Sequence, residues 1–190
     1  MRAMVLNEYG KDLELTEVDD PVPGDLDVIL RVHACGVCYT DVKITDGRLS
    51  QAISLPHVPG HEIAGEVVET GKGVRHIKTG DRGVAYFLLG CGHCEMCLSG
   101  RENLCFNLER LGFEHPGGYG EYVRLPARNL ALFSSSVPYE KMAVLPDAVA
   151  TPFHVFNTLT DLGPGRSVLI VGAGGLGLSA VQIALTMGLR

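Results

Sequence analysis

Cys91-Gly92-His93-Cys94-Glu95-Met96-Cys97, followed by Cys105, sets four of the chain's six cysteines in the pattern C-x2-C-x2-C-x7-C. Cysteines at i, i+3 and i+6 cannot pair off as disulfides without strain and a leftover thiol. Thiolates at this spacing in an irregular loop can instead converge on one tetrahedral cation, about 2.3 Å from each sulfur. Gly90, Gly92 and Gly100 give the backbone the freedom such a wrap needs. Zn²⁺ is the favoured reading; a disulfide framework and a four-cysteine iron–sulfur cluster are the alternatives. Four protein thiolates close the metal's coordination and leave no position for a substrate. This zinc is therefore expected to fold a lobe and not to catalyse.

The 190 residues are enough for a real core and allow one domain or two. Composition is that of a soluble protein, 46% hydrophobic and 20% charged, with 24 glycines that suggest many turns. The net charge of −6 comes without any block of like charge, which argues against a nucleic-acid or anionic-membrane partner. No apolar run reaches the roughly 18 residues of a membrane span. Glu8 stands where a signal peptide would have its apolar stretch. Cysteines arranged for metal and not for pairing fit a reducing cytoplasm.

Residues 2–7, 13–18 and 28–33 read as short strands rich in Val, Leu and Ile, divided by turn chemistry at 9–12 and 20–25. Strands this short and close suggest a small barrel or sandwich. A turn at Cys35–Asp41 runs into a short helix ending at Asp46-Gly47. The loop Leu55-Pro56-His57-Val58-Pro59-Gly60-His61 feeds a strand over 62–70, where Gly65 suggests close backbone approach. Further strands are expected at 84–87 and after Gly117–Gly120. From about residue 134 the pattern turns helical, with Ser136 or a neighbour as N-cap and two pieces divided by Pro146 and Pro152. An apolar strand over 167–171 then enters Gly172-Ala173-Gly174-Gly175-Leu176-Gly177 and a helix over 178–187.

Two further constellations could carry chemistry. Cys35-x2-Cys38 with His61-Glu62 reads either as a redox dithiol or metal ligands, or as a core cysteine and a turn histidine. The G-x-G-x-x-G run, strand before and helix after, has the context of a dinucleotide fingerprint. Its glycines allow a tight turn and close approach of a pyrophosphate to a helix N-terminus. An ordinary glycine-rich strand-to-helix turn is the bland alternative.

Taken in order, these motifs resemble the zinc-dependent alcohol dehydrogenases of the medium-chain dehydrogenase/reductase superfamily. The motifs are Cys35–Asp41, Gly60-His61-Glu62-x2-Gly65, Gly80-Asp81-Arg82, the cysteine lobe and Gly172–Gly177. The resemblance implies a mainly β GroES-like barrel with short helices over 1–145, carrying a structural-zinc lobe at 88–108. Residues 146–190 would be a connecting helix and the first strand–helix unit of an incomplete Rossmann domain. It implies two Zn²⁺ per chain and NAD or NADP as cofactor. The structural zinc would be held by Cys91, Cys94, Cys97 and Cys105. The catalytic one would be held by Cys38, His61 and Asp147, with Glu62 near it and Cys35 not a ligand. Thr40 matches a hydroxyl proton relay, and Asp41 a carboxylate that orients the histidine ligand. Lys43 stands where some members place a relay histidine. Thr151 would touch the nicotinamide, with Gly172, Gly174, Gly175, Leu176 and Gly177 at the cofactor, and His57, Tyr86, Phe87 and Tyr119 would line the substrate pocket.

The function so implied is interconversion of an alcohol with an aldehyde or ketone by hydride transfer to or from NAD(P). The alcohol would bind as alkoxide in the zinc's open position. A small-molecule alcohol or carbonyl is the expected partner, with no nucleic acid, no membrane, and a homodimer or homotetramer for the full protein. The resemblance breaks at Arg190, one strand–helix unit into the nucleotide domain. The residue that selects NAD or NADP is not reached, nor is the return that completes the first domain. The 190 residues are therefore expected to be a piece of a longer protein and inactive alone. A non-catalytic zinc module is the rival reading. A zinc-free reductase of quinones or enones is opposed by the two ligand sets. A nucleic-acid-binding zinc ribbon is opposed by the acidic residues of the lobe.

Overall fold

The computed structural model describes residues 1–133 and 136–190, and the chain divides into two compact units, Met1–Ala143 and Val144–Arg190. The first unit is built on strands β1 (Arg2–Val5), β2 (Glu14–Glu17) and β3 (Asp27–Gly36), helix α1 (Tyr39–Thr45), and strands β4 (Glu62–Thr70), β5 (Arg82–Ala85) and β6 (Leu88–Leu89). Helix α2 (Glu95–Leu98), strands β7 (Glu109–Arg110), β8 (Tyr122–Pro126) and β9 (Leu130–Leu132), and helix α3 (Tyr139–Ala143) complete it. Five strands form one antiparallel sheet in the order β8-β3-β4-β5-β9, with β1-β2 and β6-β7 as separate pairs. The expected mainly β, barrel-like fold with short helices is observed, as a curled antiparallel half-barrel.

Apolar side chains on these strands explain the curl. Val28, Leu30, Ile63, Val67, Ala85, Val123, Leu125 and Leu130 bury together as one core. β3 and β4 are out of simple register at two places, where Val68 and then His33 have no partner opposite. An extra residue in one strand bends it and re-aims the residues beyond the bulge. Past His33 the pairing resumes with Cys35 opposite Ile63 and Gly36 opposite Glu62. The antiparallel pairing sets the end of β3 beside the start of β4, next to the Cys35–Asp41 and Gly60–Glu62 segments. At Gly65 a Cβ would overlap the carbonyl of Arg31, so the close approach expected from the sequence is present.

α3 begins at Tyr139, with the Pro138 carbonyl accepting the N–H of Lys141 and Met142 at 3.2 Å each. Ser134 and Ser135, neighbours of the expected cap, lie outside the described residues.

In the second unit a wide π-helical turn (Leu145–Val149) leads into α4 (Ala150–His154) and a second π turn (Val155–Leu159). Of the two prolines expected to divide the helical stretch, Pro146 lies in the π turn before α4, and the break expected at Pro152 is corrected. The α register restarts at Ala150, so Pro152 falls in the first turn of α4, where an N–H has no α-helical partner to lose. Residues 167–171 are also corrected: no strand forms there. Val168 and Ile170 pack inward, and Leu169 and Val171 are about 90% exposed. Ladder status needs a run of paired neighbours. Here only the end of the chain lies alongside, Val168 N–H donating to Arg190 and Arg190 N–H to Arg166, both at 2.8 Å. Helix α5 (Gly175–Thr186) starts three residues before the expected position and buries Ala180 and Ala184 against Phe156 and Leu189.

Candidate metal centres and cofactor turn

α1 begins on Cys38. The Cys38 Sγ accepts the Thr40 N–H at 3.5 Å, and the Asp41 carboxylate Oδ2 accepts the Cys38 N–H at 2.9 Å. This reciprocal cap fixes the backbone at Cys38. The other Asp41 oxygen, Oδ1, lies 3.5 Å from Nδ1 of His61, which β4 and the preceding loop present at 2% exposure. A carboxylate on Nδ1 makes that nitrogen the donor and leaves Nε2 with its lone pair, the arrangement of a metal-ligating histidine. The His61 ring is wedged between Phe87 and Phe113, with centroids at 5.1 and 5.4 Å. Burial acts to raise the Asp41 carboxyl, but the adjacent His61 ring, with hydrogen bonds from the Cys38 N–H and the Tyr119 hydroxyl, outweighs it and holds the group below the usual carboxylate range.

Glu62 is buried, and its carboxylate fills the space where any side chain on Gly36 would go. Thr40 is half-buried in the first turn of α1. Cys35, next along β3, is pushed up to about 12 by burial and then by the Asp41 charge, so it stays a thiol.

In the lobe between β6 and β7 the four Sγ atoms of Cys91, Cys94, Cys97 and Cys105 all lie within 4.8 Å of one another. Individual pairs are 3.6 Å (Cys94–Cys97), 3.8 Å (Cys94–Cys105) and 3.9 Å (Cys91–Cys97) apart. A tetrahedron with metal–sulfur bonds of about 2.3 Å has edges of about 3.8 Å, whereas a disulfide needs about 2.05 Å. The donor set therefore fits a closed zinc and excludes a disulfide. Backbone N–H groups of Cys97 and Phe106 hold the Cys94 thiol down at about 6, and burial pushes Cys97 up to about 12. The N–H groups of Cys91 and Asn107 donate to the Cys105 sulfur at 3.2 and 3.4 Å. Arg128, from the turn before β9, donates to the Gly90 carbonyl at the root of the lobe. Nothing in the local sequence around Arg128 marks it for this role.

Of the residues expected at a substrate pocket, Phe87 and Tyr119 reach the Cys38/His61 centre. Phe87 packs on His61, while Tyr86 is half-buried and raised by burial and then by the Glu102 charge. His57 is buried in a backbone bridge with Leu6, and burial lowers it. The hydroxyl of Tyr119 donates to Asp41 at 2.9 Å. Burial, followed by the Asp41 charge, raises the Tyr119 phenol so that it keeps its proton. A groove of about 980 Å³ in the first unit is lined by His57, Val58, Leu108 and Tyr122 among others, but by neither Cys38 nor His61. Volume alone does not mark the place where the ligands converge.

In the second unit Thr151 donates to the Asp147 carboxylate at 3.1 Å. The glycine turn takes the form a phosphate turn needs. Gly172 has φ +100°, Gly174 caps α5, and any Cβ on Gly177 would overlap the Gly172 carbonyl. Gly175, Leu176 and Gly177 form the first turn of α5.

Residues 24–135 match the alcohol dehydrogenase GroES-like domain, and the chain belongs to that family. It is 40% identical over 191 residues to an alcohol dehydrogenase of Moraxella sp., covering all of this chain and 56% of that one. A solved NAD-dependent alcohol dehydrogenase superposes with TM-score 0.95 at 36% identity, over 100% of this chain and 56% of that one. A thermostable alcohol dehydrogenase from Pyrobaculum aerophilum, solved with cobalt and zinc, gives TM-score 0.92 at 36% identity, over 100% and 57%. The chain thus spans about half the length of the relatives it matches. Among the described residues no helix is long and apolar enough to cross a membrane.

Proposed function

We propose that this chain is the catalytic part of a zinc-dependent oxidoreductase that interconverts an alcohol and an aldehyde or ketone with NAD or NADP. One observation carries the reading. A single buried carboxylate, Asp41, holds the backbone of Cys38 and the ring of His61 at once, which is how two ligands of one metal are prepared. The relatives that are alcohol dehydrogenases, one of them solved with zinc and cobalt, support it. Asp147 is the proposed third ligand. Cys⁻ and Asp⁻ together neutralise a divalent cation, and three protein ligands leave one position open.

Held by Cys38, His61 and Asp147, zinc would supply a Lewis acid that brings an alcohol's pKa towards neutrality. NAD(P) supplies the hydride acceptor. The chain's own part is to position and to move a proton. Asp41 orients His61, Thr40 takes the substrate's hydroxyl proton outward, and Glu62 stands beside the centre. Phe87, packed on the His61 ring, shapes the substrate space, and the turn Gly172–Gly177 with Thr151 receives the cofactor. In this reading residues 1–145 are the catalytic domain, residues 146–190 open the nucleotide-binding domain, and the Cys91–Cys105 zinc is structural.

Metal analysis tests the reading. The purified chain should carry two zincs, and Cys38→Ser with Asp147→Asn should remove one and spare the other. A single zinc in the unsubstituted chain overturns it. In an alcohol panel with NAD⁺ or NADP⁺, residues 1–190 alone are expected to give no turnover, and the Cys38→Ser form of the whole protein none.

A further inference from the structure

Tyr119 meets the Cys38/His61 centre from far away in sequence. Its hydroxyl donates to Asp41 Oδ2 at 2.9 Å across 78 residues and lies 3.4 Å from the Gly36 carbonyl. Asp41 serves three groups with two oxygens. Oδ2 accepts the Cys38 N–H and the Tyr119 hydroxyl, and Oδ1 is turned to Nδ1 of His61. The Cys38 N–H belongs to the same helical turn as Asp41 and is a single anchor. The torsion that rotates an aspartate carboxylate is broad and roughly two-fold, so one anchor leaves its plane loosely set. The phenol comes from a different part of the fold and supplies the second anchor. With both bonds on Oδ2, the remaining oxygen is committed to His61.

The same residue also braces the backbone that delivers the histidine. The Tyr119 N–H donates to the Pro59 carbonyl at 3.0 Å. Its ring covers Gly60, the residue before His61: at φ +96° a Cβ there would stand 2.6 Å from the ring. The other end is fixed by the first strand, since the Met4 N–H donates to the Tyr119 carbonyl at 2.7 Å. Tyr119 therefore touches both the carboxylate behind His61 and the turn that presents it.

We propose that Tyr119 is a positioning residue of the metal centre: its hydroxyl, through Asp41, sets the tautomer and orientation of His61 and thereby the centre's affinity for a divalent metal. The inference rests on the reading that Cys38 and His61 hold such a metal. It gives the Tyr119 hydroxyl a task other than contact with substrate.

Cobalt titration of the metal-stripped chain tests it, because thiolate and imidazole ligation give the two centres separable visible spectra. The component lost in Cys38→Ser belongs to the Cys38/His61 centre. In Tyr119→Phe that component should bind Co²⁺ about 10- to 100-fold more weakly, the usual cost of losing an outer hydrogen bond. The four-cysteine component should be unchanged, which also shows that the variant is folded. In an Asp41→Asn background the further loss from Tyr119→Phe should shrink to within about twofold, since the hydroxyl acts through the carboxylate. Cobalt affinity within about twofold of the unsubstituted chain in Tyr119→Phe, or equal losses in both backgrounds, overturns the proposal and leaves the metal centre standing. Uptake of cobalt at the four-cysteine site only, in the unsubstituted chain, overturns the metal-centre reading and this proposal with it.

Discussion

Asp41 is the residue on which the first unit's chemistry converges, and its energetics can be read from its surroundings. It is 4% exposed, and the hydrogen bonds that hold its carboxyl low are made to the charged form. Replacing it by asparagine keeps the volume and removes the charge, leaving the Tyr119 hydroxyl and His61 ring with a weaker acceptor. A loss of about 1.5–3 kcal/mol in unfolding free energy is expected, the range for hydrogen bonds to a charged group. The pH dependence has a definite sign. A carboxyl lowered on folding contributes stability that is complete above its unfolded value of about 3.9 and is lost as pH falls through its own lower value. The gap between the original chain and Asp41→Asn in urea unfolding should therefore be constant near neutrality and close below about pH 4. A gap that widens on acidification would show that Asp41 is not the stabilising anion. At this scale the sequence is informative where residues are neighbours: Cys38 and Asp41 share one motif, and so do Gly60, His61 and Glu62. It is silent about the structural roles of Tyr119 and Arg128, which depend on contacts 78 and 38 residues away. No local pattern encodes such a meeting.

The cysteine lobe has little apolar support of its own. Cys97 and Cys105 are buried, but Leu98, Leu104 and Phe106 are more than half exposed. Under the proposed structural zinc, a segment with so little buried apolar surface draws its folding free energy from that metal. Chelation should therefore melt residues 88–108 while the sheet β8-β3-β4-β5-β9 persists. Hydrogen exchange would show amides of the lobe losing protection and those of β3 and β4 keeping it. Loss of protection throughout the sheet would mean the lobe is part of the barrel's core stability. Arg128→Ala should loosen the lobe without unfolding it, because the Gly90 carbonyl loses its donor. An increase of about tenfold in the rate of zinc loss to a chelator is the expected size. Elements are legible wherever the pattern is local: the branched residues of β4 mark it at its observed bounds. They are less legible where neighbours decide. Pro152 reads as a helix break in sequence, yet the π turn before it moves the helix register and makes the proline harmless. Residues 167–171 have a strand's apolar character, but pairing, which sequence does not carry, is what makes a strand.

The two units differ in what holds them together. Met1–Ala143 has a five-stranded sheet, a large core on that sheet and the cysteine lobe, whereas Val144–Arg190 buries mainly Phe156, Ala180, Ala184 and Leu189. In the second unit Leu169, Val171, Leu176, Leu178, Val181 and Leu185 are exposed by more than 40%. Burial worth about 25 cal/mol per Å² cannot offset an ordering cost of about 1.5 kcal/mol per residue when so much apolar surface stays wet. Residues 144–190 made alone should therefore lack a cooperative unfolding transition when followed by circular dichroism. Residues 1–143 made alone should unfold cooperatively and retain the lobe. The same division bears on the metals. Under the proposed ligand set, residues 1–143 keep all four lobe cysteines but only Cys38 and His61 of the other centre, because Asp147 belongs to the second unit. They should hold one zinc tightly through gel filtration where residues 1–190 hold two. Two tightly held zincs in residues 1–143 would show that a group within the first unit, and not Asp147, completes the centre, with the buried Glu62 beside His61 the first to substitute.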